Sequence, residues 1–172
     1  GTIQVDGKAM TVNQSTARMV ADWTSFSIGS GASVRFVQPS TSSVALNRVL
    51  GDQPSAIFGS LSANGHVYLQ NPSGVLFAPG AQVNVGSLVA TTLQADLSQF
   101  MAGHLRLSNG GAASGDVVNE GHITALPGGH VVLAGPRVAN HGSIEVPAGT
   151  IGLAAGQVVT VDATGAGLLD IR

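Results

Sequence analysis

The chain of 172 residues contains no cysteine, so a disulfide framework, thiolate chemistry and cysteine zinc sites are excluded. Charged residues make up only 9% of the chain and the formal net charge is −2, whereas about 25% of the residues of an ordinary globular domain are charged. With seven Lys and Arg residues, the chain lacks the basic surface that binds phosphate groups. We therefore expect no nucleic-acid partner.

Long apolar runs are also missing. The stretch between Asp52 and Asp96 carries no formal charge, but Asn, Gln, Ser and Thr interrupt it throughout. Its longest apolar run, residues 74–81, is far shorter than the roughly 18 residues of a transmembrane helix. We expect no membrane insertion. The positive mean hydropathy of +0.31 argues against disorder, and the length suits one domain, residues 1–172.

What the chain does contain is an internal repeat. When the C-terminal third is shifted by about 21 residues it matches itself, so that Asn119 falls on Asn140 and Gly128 on Gly149. Val138 falls on Val159 in the same alignment. A weaker echo about three periods upstream places His66 in the position of His130.

Within each period, short runs of alternating β-branched residues are separated by Gly, Asn, Ser and Pro. Such runs predict short strands joined by tight turns. About 21 residues then form one coil of three strands, and some eight coils stack at about 4.8 Å. The predicted fold class is all-β, a right-handed parallel β-helix, with an antiparallel sandwich as the alternative.

Three segments depart from the repeat. Leucines, Phe100 and Met101 recur at helical spacing, which predicts a short helix at residues 94–102 outside the coils, ended by Gly103. Residues 108–115 are rich in Gly and Ala and predict an exposed loop. Residues 1–30 hold the single Trp23 and predict a cap on the open end of the coils, which occupy residues 31–172.

No cluster of residues predicts a metal site or a cofactor. His66 and His130, if three coils apart, are separated by about 14 Å, too far to share one ion. His122 and His141 could face each other on adjacent coils, but neither has a cysteine or a suitably spaced carboxylate nearby. Solvated turn histidines are the expectation.

Catalytic patterns are missing as well. The nine acidic residues are scattered singly, whereas acid–base catalysis needs two held on one face. Gly29-Ser30-Gly31 lacks the spacing of a nucleophile elbow. We predict that the domain is not an enzyme, although a carbohydrate-active β-helix is an alternative.

Asn71-Pro72-Ser73-Gly74 has the composition of a β-turn, with Pro in the second position and Gly in the fourth. The Asn side chain can bond to the backbone two residues on and cap the turn. On the local pattern alone, this segment is a structural turn.

Five segments read in order carry a wider pattern: residues 4–7, 21–26, 43–49, 62–74 and 153–156. Residues 62–74 have the form Ser-x-Asn-Gly-x-Val-x-Leu-x-Asn-Pro-x-Gly. Together the segments resemble the N-terminal secretion domain of two-partner-secretion exoproteins, the family of filamentous haemagglutinin and the high-molecular-weight adhesins. The adhesin branch is the most similar.

The resemblance implies a right-handed parallel β-helix that a dedicated outer-membrane transporter recognises. The transporter's periplasmic domains bind the extended chain, and folding at the cell surface nucleates the longer exoprotein. The residues implicated, as a recognition or a structural motif, are Asn47, Arg48, Asn71, Pro72, Ser73 and Gly74. The third position of the family's Asn-Pro-Asn-Gly turn is Ser73 here.

The predicted function is therefore a secretion domain, monomeric, from a protein secreted to the surface of a Gram-negative bacterium by way of the periplasm. An adhesive module that binds a host glycan or protein directly is the alternative. An exposed aromatic stripe would favour that alternative, but the seven aromatic residues lie mostly within apolar runs.

Overall fold

The computed structural model describes residues 1–162 and the strand at residues 169–171. The first half of the chain forms β1 (Thr2–Asp6), β2 (Ala9–Asn13), β3 (Arg18–Trp23), β4 (Ser33–Val37), β5 (Val44–Val49), β6 (Ser55–Ile57), β7 (Ser60–Ala63), β8 (His66–Gln70), β9 (Val75–Phe77), β10 (Gln82–Val85) and β11 (Ser87–Thr91). The second half forms β12 (Gln94–Ala95), α1 (Leu97–Met101), β13 (Leu105–Ser108), β14 (Val117–Asn119), β15 (His122–Ala125), β16 (His130–Gly135), β17 (Val138–Asn140), β18 (Ser143–Glu145), β19 (Thr150–Ala155), β20 (Val158–Val161) and β21 (Leu169–Ile171).

Three sheets wind around one interior. Sheet A has the order β1-β2-β4-β7-β10-β15-β18, sheet B β3-β5-β8-β11-β16-β19 and sheet C β6-β9-β14-β17. Apart from the β1–β2 hairpin, every pairing in these sheets is parallel. The predicted parallel β-helix is confirmed, and the antiparallel sandwich is wrong.

The 21-residue register is confirmed at the C-terminal coils. Asn119 pairs with Asn140 and Ile123 with Ile144. In the described residues, sheet B contains six stacked strands, fewer than the eight coils expected. The difference arises because part of the chain leaves the coils and forms a fourth sheet.

The interior of the coils holds the larger apolar core. Strand residues alternate between inside and outside, and the inward ones include Val67, Leu88, Val131, Leu61 and Ile123, each at most 1% exposed. Small and medium side chains fill this narrow space, which explains why the sequence has many Val and Ala and few aromatic residues.

A second core lies on the outer face of sheet B. Sheet D, with the antiparallel order β12-β13-β20-β21, covers that face together with α1. Leu46, Tyr68, Val89 and Val132 of sheet B pack there against residues that include Phe100. The central strands β11 and β16 are covered on both faces, and every residue of both strands is buried.

The alignment of Val138 with Val159 does not hold in the structure. Val138 lies in β17 of sheet C, whereas Val159 lies in β20 and pairs antiparallel with Leu107. Two similar runs of β-branched residues thus belong to different sheets. The run that contains Val159 lies in sheet D and packs on the outer face of sheet B.

The helix is shorter than the predicted residues 94–102. Gln94 and Ala95 form β12, and α1 spans Leu97–Met101. Asp96 is the N-cap, since its carboxylate accepts a hydrogen bond of 3.0 Å from the N–H of Gln99. Gly103 ends the helix with a φ of +96°, as predicted. No helix in the described part of the chain is long and apolar enough to cross a membrane.

The N-terminal segment forms part of the first coil. β2 pairs parallel with β4, and β3 pairs parallel with β5. Only β1 is added antiparallel, through a turn at Gly7 with a φ of +58°. Trp23 and Phe26 contact each other edge to face at 5.3 Å. The loop that follows β13 runs from residue 109 to 116.

Candidate functional site

Residues 71–74, hereafter the Asn71 turn, connect β8 of sheet B to β9 of sheet C. The N–H of Gly74 donates a hydrogen bond of 3.1 Å to the carbonyl oxygen of Asn71, which closes a four-residue turn. The Asn71 Oδ1 accepts a bond of 3.0 Å from the N–H of Ser73. The predicted turn with its Asn cap is therefore present in the structure.

The side chain of Asn71 is completely buried, with 0% of its surface exposed. Its Nδ2 donates to the carbonyl oxygen of Gln53 at 2.9 Å and to Oγ of Ser55 at 3.0 Å. These three hydrogen bonds satisfy both ends of the amide, which matters because a buried amide without partners is costly. The two bonds from Nδ2 also connect the turn to the preceding coil.

The loop at residues 109–116 packs against the turn. The N–H of Gly115 donates to the carbonyl oxygen of Pro72 at 2.8 Å. A Cβ on Gly115 would lie 2.3 Å from the carbonyl oxygen of Ser73, so only glycine fits. Sequence reasoning missed Gly115, Gln53 and Ser55, since no local pattern connects them to the turn.

Asn47 and Arg48 lie on opposite faces of β5. Asn47 points into the coils, is 0% exposed, and accepts a hydrogen bond of 3.0 Å from Nε1 of Trp23. Its Nδ2 donates to the carbonyl oxygen of Tyr68 at 3.2 Å. Arg48 points outward and forms a two-bond ion pair with Asp22, at 2.7 and 2.8 Å.

The six residues singled out from the sequence do not share one surface. Asn47, Asn71 and Gly74 are buried, Arg48 and Pro72 are half-buried, and Ser73 is exposed. In the folded domain only Ser73, with parts of Pro72 and Arg48, is open to a partner. The buried members of the set hold the coils together.

A second polar corner was not predicted. Gln38, 5% exposed, bonds through its side chain to Gln14 and to the backbone of Ser43, Gly65 and His66. It crosses three successive coils at the junction of sheets A and B. Glutamine is not a typical turn residue, so the sequence does not predict this role for Gln38. Its partners lie on neighbouring coils and come together only in the folded domain.

His66 and His130 are much closer together than the repeat predicts. Both lie beside Ser87 on the outer face of sheet B, and their ring centroids are 5.3 Å apart. The prediction of three coils and about 14 Å is wrong. The 43 residues from Ser87 to His130 amount to a single coil step, because they include the excursion that forms β12, α1 and β13.

The strand register does not place His141 opposite His122. His122 pairs with Ser143, whose hydroxyl contacts its Nδ1. His141 belongs to the turn before that strand, where its N–H donates to the carbonyl oxygen of Asn119. In the described residues no group of three His, Cys, Asp or Glu side chains could hold a metal ion.

Burial shifts the titration of the groups on the outer face of sheet B. It lowers the pKa of His130 to about 4, with a smaller contribution from His66. Burial and then the charge of Arg18 lower the pKa of His66. Burial also raises the pKa of Tyr68 to about 12, against the opposing effect of Arg18. At neutral pH these three side chains are uncharged.

The sequence of residues 1–169 matches the pattern of the TPS secretion domain family. The chain belongs to this family. Proteins that carry the domain are secreted through the outer membrane of Gram-negative bacteria, and their two-partner system includes an outer-membrane transporter.

Two comparisons with individual proteins agree with the family. The crystal structure of the HMW1 secretion domain from Haemophilus influenzae superposes with a TM-score of 0.88 at 33% identity, over 94% of this chain and 43% of that one. A heme/hemopexin-binding protein from Haemophilus influenzae is 41% identical over 144 residues, which cover 81% of this chain. The matched segment covers 16% of the length of that relative.

Proposed function

We propose that the partner transporter recognises this TPS domain as an unfolded chain in the periplasm, and that the domain folds only after it has crossed the outer membrane. The observation that carries the proposal is the complete burial of Asn47 and Asn71 in the folded domain. A side chain must be accessible for a partner to contact it. Recognition of these residues is therefore possible only before folding.

The composition supports passage of an unfolded chain. Without cysteine, no disulfide can form in the oxidising periplasm and block the transporter. Once the chain folds, Asn71 is held by Gln53, Ser55 and Ser73. Folding then withdraws the Asn71 turn from the transporter and favours release on the outer side.

The C-terminal end of the coils supports a second role, the nucleation of folding in the segment that follows. β19 is the last strand of sheet B, and its Ile151 and Leu153 continue the inward columns of Val131 and Leu133. Both are nearly half exposed, at 46% and 48%. A further coil would cover these side chains and pair with the edge of β19 that no strand of sheet B occupies in the described part of the chain.

The alternatives have no comparable support. Among the described side chains, Phe58 is the single aromatic residue in the set of exposed large hydrophobic residues, so no aromatic stripe favours an adhesive module. The nine acidic residues are scattered singly along the sequence, so no pattern of paired carboxylates favours a carbohydrate-active enzyme. We propose that the domain acts as a non-enzymatic monomer.

The test compares two buried asparagines in similar turns. Asn71→Ala and Asn119→Ala each remove a fully buried amide whose Oδ1 accepts a backbone N–H two residues on. Both variants are produced with the transporter in the same strain, and secreted yield is measured beside the thermal midpoint of the purified domain. We expect Asn71→Ala to reduce secretion far more than Asn119→Ala at a similar loss of stability.

Two further measurements separate recognition from folding. Ser73→Ala changes an exposed side chain of the turn and should leave the thermal midpoint almost unchanged. The transporter's periplasmic domains should retain the urea-unfolded domain and not the refolded one. Secretion that follows the thermal midpoint equally in all three variants would reject the recognition role, as would capture of the folded domain alone.

A further inference from the structure

Two histidines face each other on the outer side of sheet B. His66 lies at the start of β8 and His130 at the start of β16, with Ser87 of β11 between them. Their rings meet edge to face with a centroid separation of 5.3 Å. Tyr68 borders the pair, with its ring centroid 6.5 Å from each imidazole.

One nitrogen of this pair has no partner inside the protein. The Nε2 of His130 is buried and makes no hydrogen bond, in a residue that is 6% exposed. Buried polar atoms in native proteins are nearly always satisfied. The unpartnered nitrogen lies beside a second imidazole, and burial keeps both rings neutral at neutral pH. Neutral imidazole is the form that binds transition metals.

We propose that His66 and His130 form a two-imidazole site for a divalent transition-metal ion such as Zn²⁺ or Ni²⁺. With Zn–N bonds of about 2.1 Å and tetrahedral angles, two imidazole rings on one ion have centroids roughly 5 to 6 Å apart. The observed 5.3 Å lies in this range. The site requires that rotation of the two side chains directs one nitrogen of each ring to a shared position.

The surroundings define the kind of ion and the remaining ligands. The described residues offer no third His, Cys, Asp or Glu ligand, so water completes the coordination. An open cleft of 460 Å³, lined by residues that include Thr41, Ser42 and Gly86, leads to His66. Imidazole without carboxylate selects zinc, nickel or copper over magnesium or calcium.

Arg18 sets a limit on the affinity. Its charge lowers the pKa of His66, and the same charge repels a bound cation. The guanidinium donates to the carbonyl oxygen of Phe100 at 3.2 Å. His66 lines the cleft and His130 does not, so an ion enters from the side of His66. The site is therefore a moderate-affinity one, in contrast to a closed structural zinc site with four protein ligands.

Metal at this position would connect β8 to β16 across β11. These strands meet only in the folded domain, so the ion binds the native state and raises its thermal midpoint. The effect is confined to the folded, secreted form, because the two histidines lie next to each other only when β8, β11 and β16 are paired.

The test uses the whole domain with a tag that contains no histidine, freed of metal with EDTA. Titration calorimetry with ZnCl₂ and with NiCl₂ should show one ion per chain, and the thermal midpoint should rise with metal concentration. His66→Asn and His130→Asn should each weaken metal binding by more than about 10- to 100-fold, which is the loss expected when only an outer-shell partner of a ligand is removed. The matched controls His104→Asn and His122→Asn should bind as the parent does.

A second measurement uses only the parent domain and therefore does not depend on correct folding of the buried His130→Asn variant. Substoichiometric Cu²⁺ added to the parent domain should broaden the ring resonances of His66 and His130 before those of the other histidines. Failure of the parent to bind Zn²⁺ or Ni²⁺, binding that His66→Asn leaves unchanged, or broadening centred on His104, His122 or His141 would each overturn the proposal.

Discussion

The side chain of Asn119 donates a hydrogen bond of 2.9 Å to Oδ1 of Asn140, the residue 21 positions along the chain and one coil further on. Asn119 is fully buried, and its own Oδ1 accepts the N–H of Gly121 at 3.0 Å. Asn71 makes the same bond to its own backbone two residues on. Buried asparagine at a coil corner is therefore a repeated device of this fold.

The Asn119–Asn140 pair leads to a prediction about stability. Asn119→Ala removes three side-chain hydrogen bonds, to Asn140, Ser143 and Gly121. It leaves the buried N–H of Gly121 without its partner, which should cost about 1–3 kcal/mol. Asn140→Ala acts on an exposed residue and should cost less than about 1 kcal/mol. Urea denaturation of both variants measures the difference. Equal losses would contradict a corner role for Asn119.

Much of the architecture could be predicted from the sequence because the repeat is local. Strands of alternating apolar residues, the 21-residue match of Asn119 with Asn140, and the turn at Asn71 all follow from short-range preferences for strand and turn. The end of α1 at Gly103 likewise depends on a residue that tolerates positive φ. These features need no knowledge of distant contacts.

What could not be predicted depends on the excursion between β11 and β14. Its strand β13 pairs antiparallel with β20, about 50 residues on, and no periodicity records that partnership. The same excursion lengthens one coil step to 43 residues, so the 21-residue repeat predicts too large a distance between His66 and His130. The contact of Gly115 with the Asn71 turn is likewise not predicted, because Gly115 belongs to this excursion and lies far from the turn in sequence.

A second prediction concerns the attachment of α1 to the first coil. Arg18 donates to the carbonyl oxygen of Phe100 at 3.2 Å and lies 5.7 Å above its ring. Arg18→Gln should cost about 0.5–2 kcal/mol, and it should speed amide exchange in α1 more than in the coils. Arg137→Gln, which removes an ion pair to Asp116 with 80% of the Arg side chain exposed, is the control and should cost almost nothing. Similar effects from both would argue against the attachment.

A third prediction concerns pH and the N-cap of α1. The N–H of Gln99 first and the hydroxyl of Ser98 second hold the pKa of Asp96 below its usual 3.8. A lowered carboxyl pKa stabilises the helix start at higher pH, and this contribution is lost as the pH falls through the folded-state value. The amide shift of Gln99 should titrate with a midpoint below 3.8, and Asp96→Asn should abolish that titration. A midpoint at or above 3.8 would show that the cap is not formed.

The last prediction tests the packing of the Asn71 turn against the 109–116 loop. A Cβ at Gly115 would lie 2.3 Å from the carbonyl oxygen and 2.7 Å from the carbonyl carbon of Ser73. Backbone atoms cannot move aside as a flexible side chain can, so Gly115→Ala should destabilise the domain by about 1–3 kcal/mol. Gly29→Ala is the matched control, since a Cβ there meets nothing within 4 Å. Chemical denaturation of the two purified variants gives both values.

The same pair of variants separates the shape of the turn from its recognition. Gly115→Ala distorts the turn only in the folded domain and changes none of the residues 71–74 in the unfolded chain. If the transporter reads the unfolded chain, Gly115→Ala should be exported at the yield its stability allows, while Asn71→Ala falls well below that relation. A Gly115→Ala domain that is as stable as the parent and yet poorly secreted would mean that the transporter depends on the folded turn.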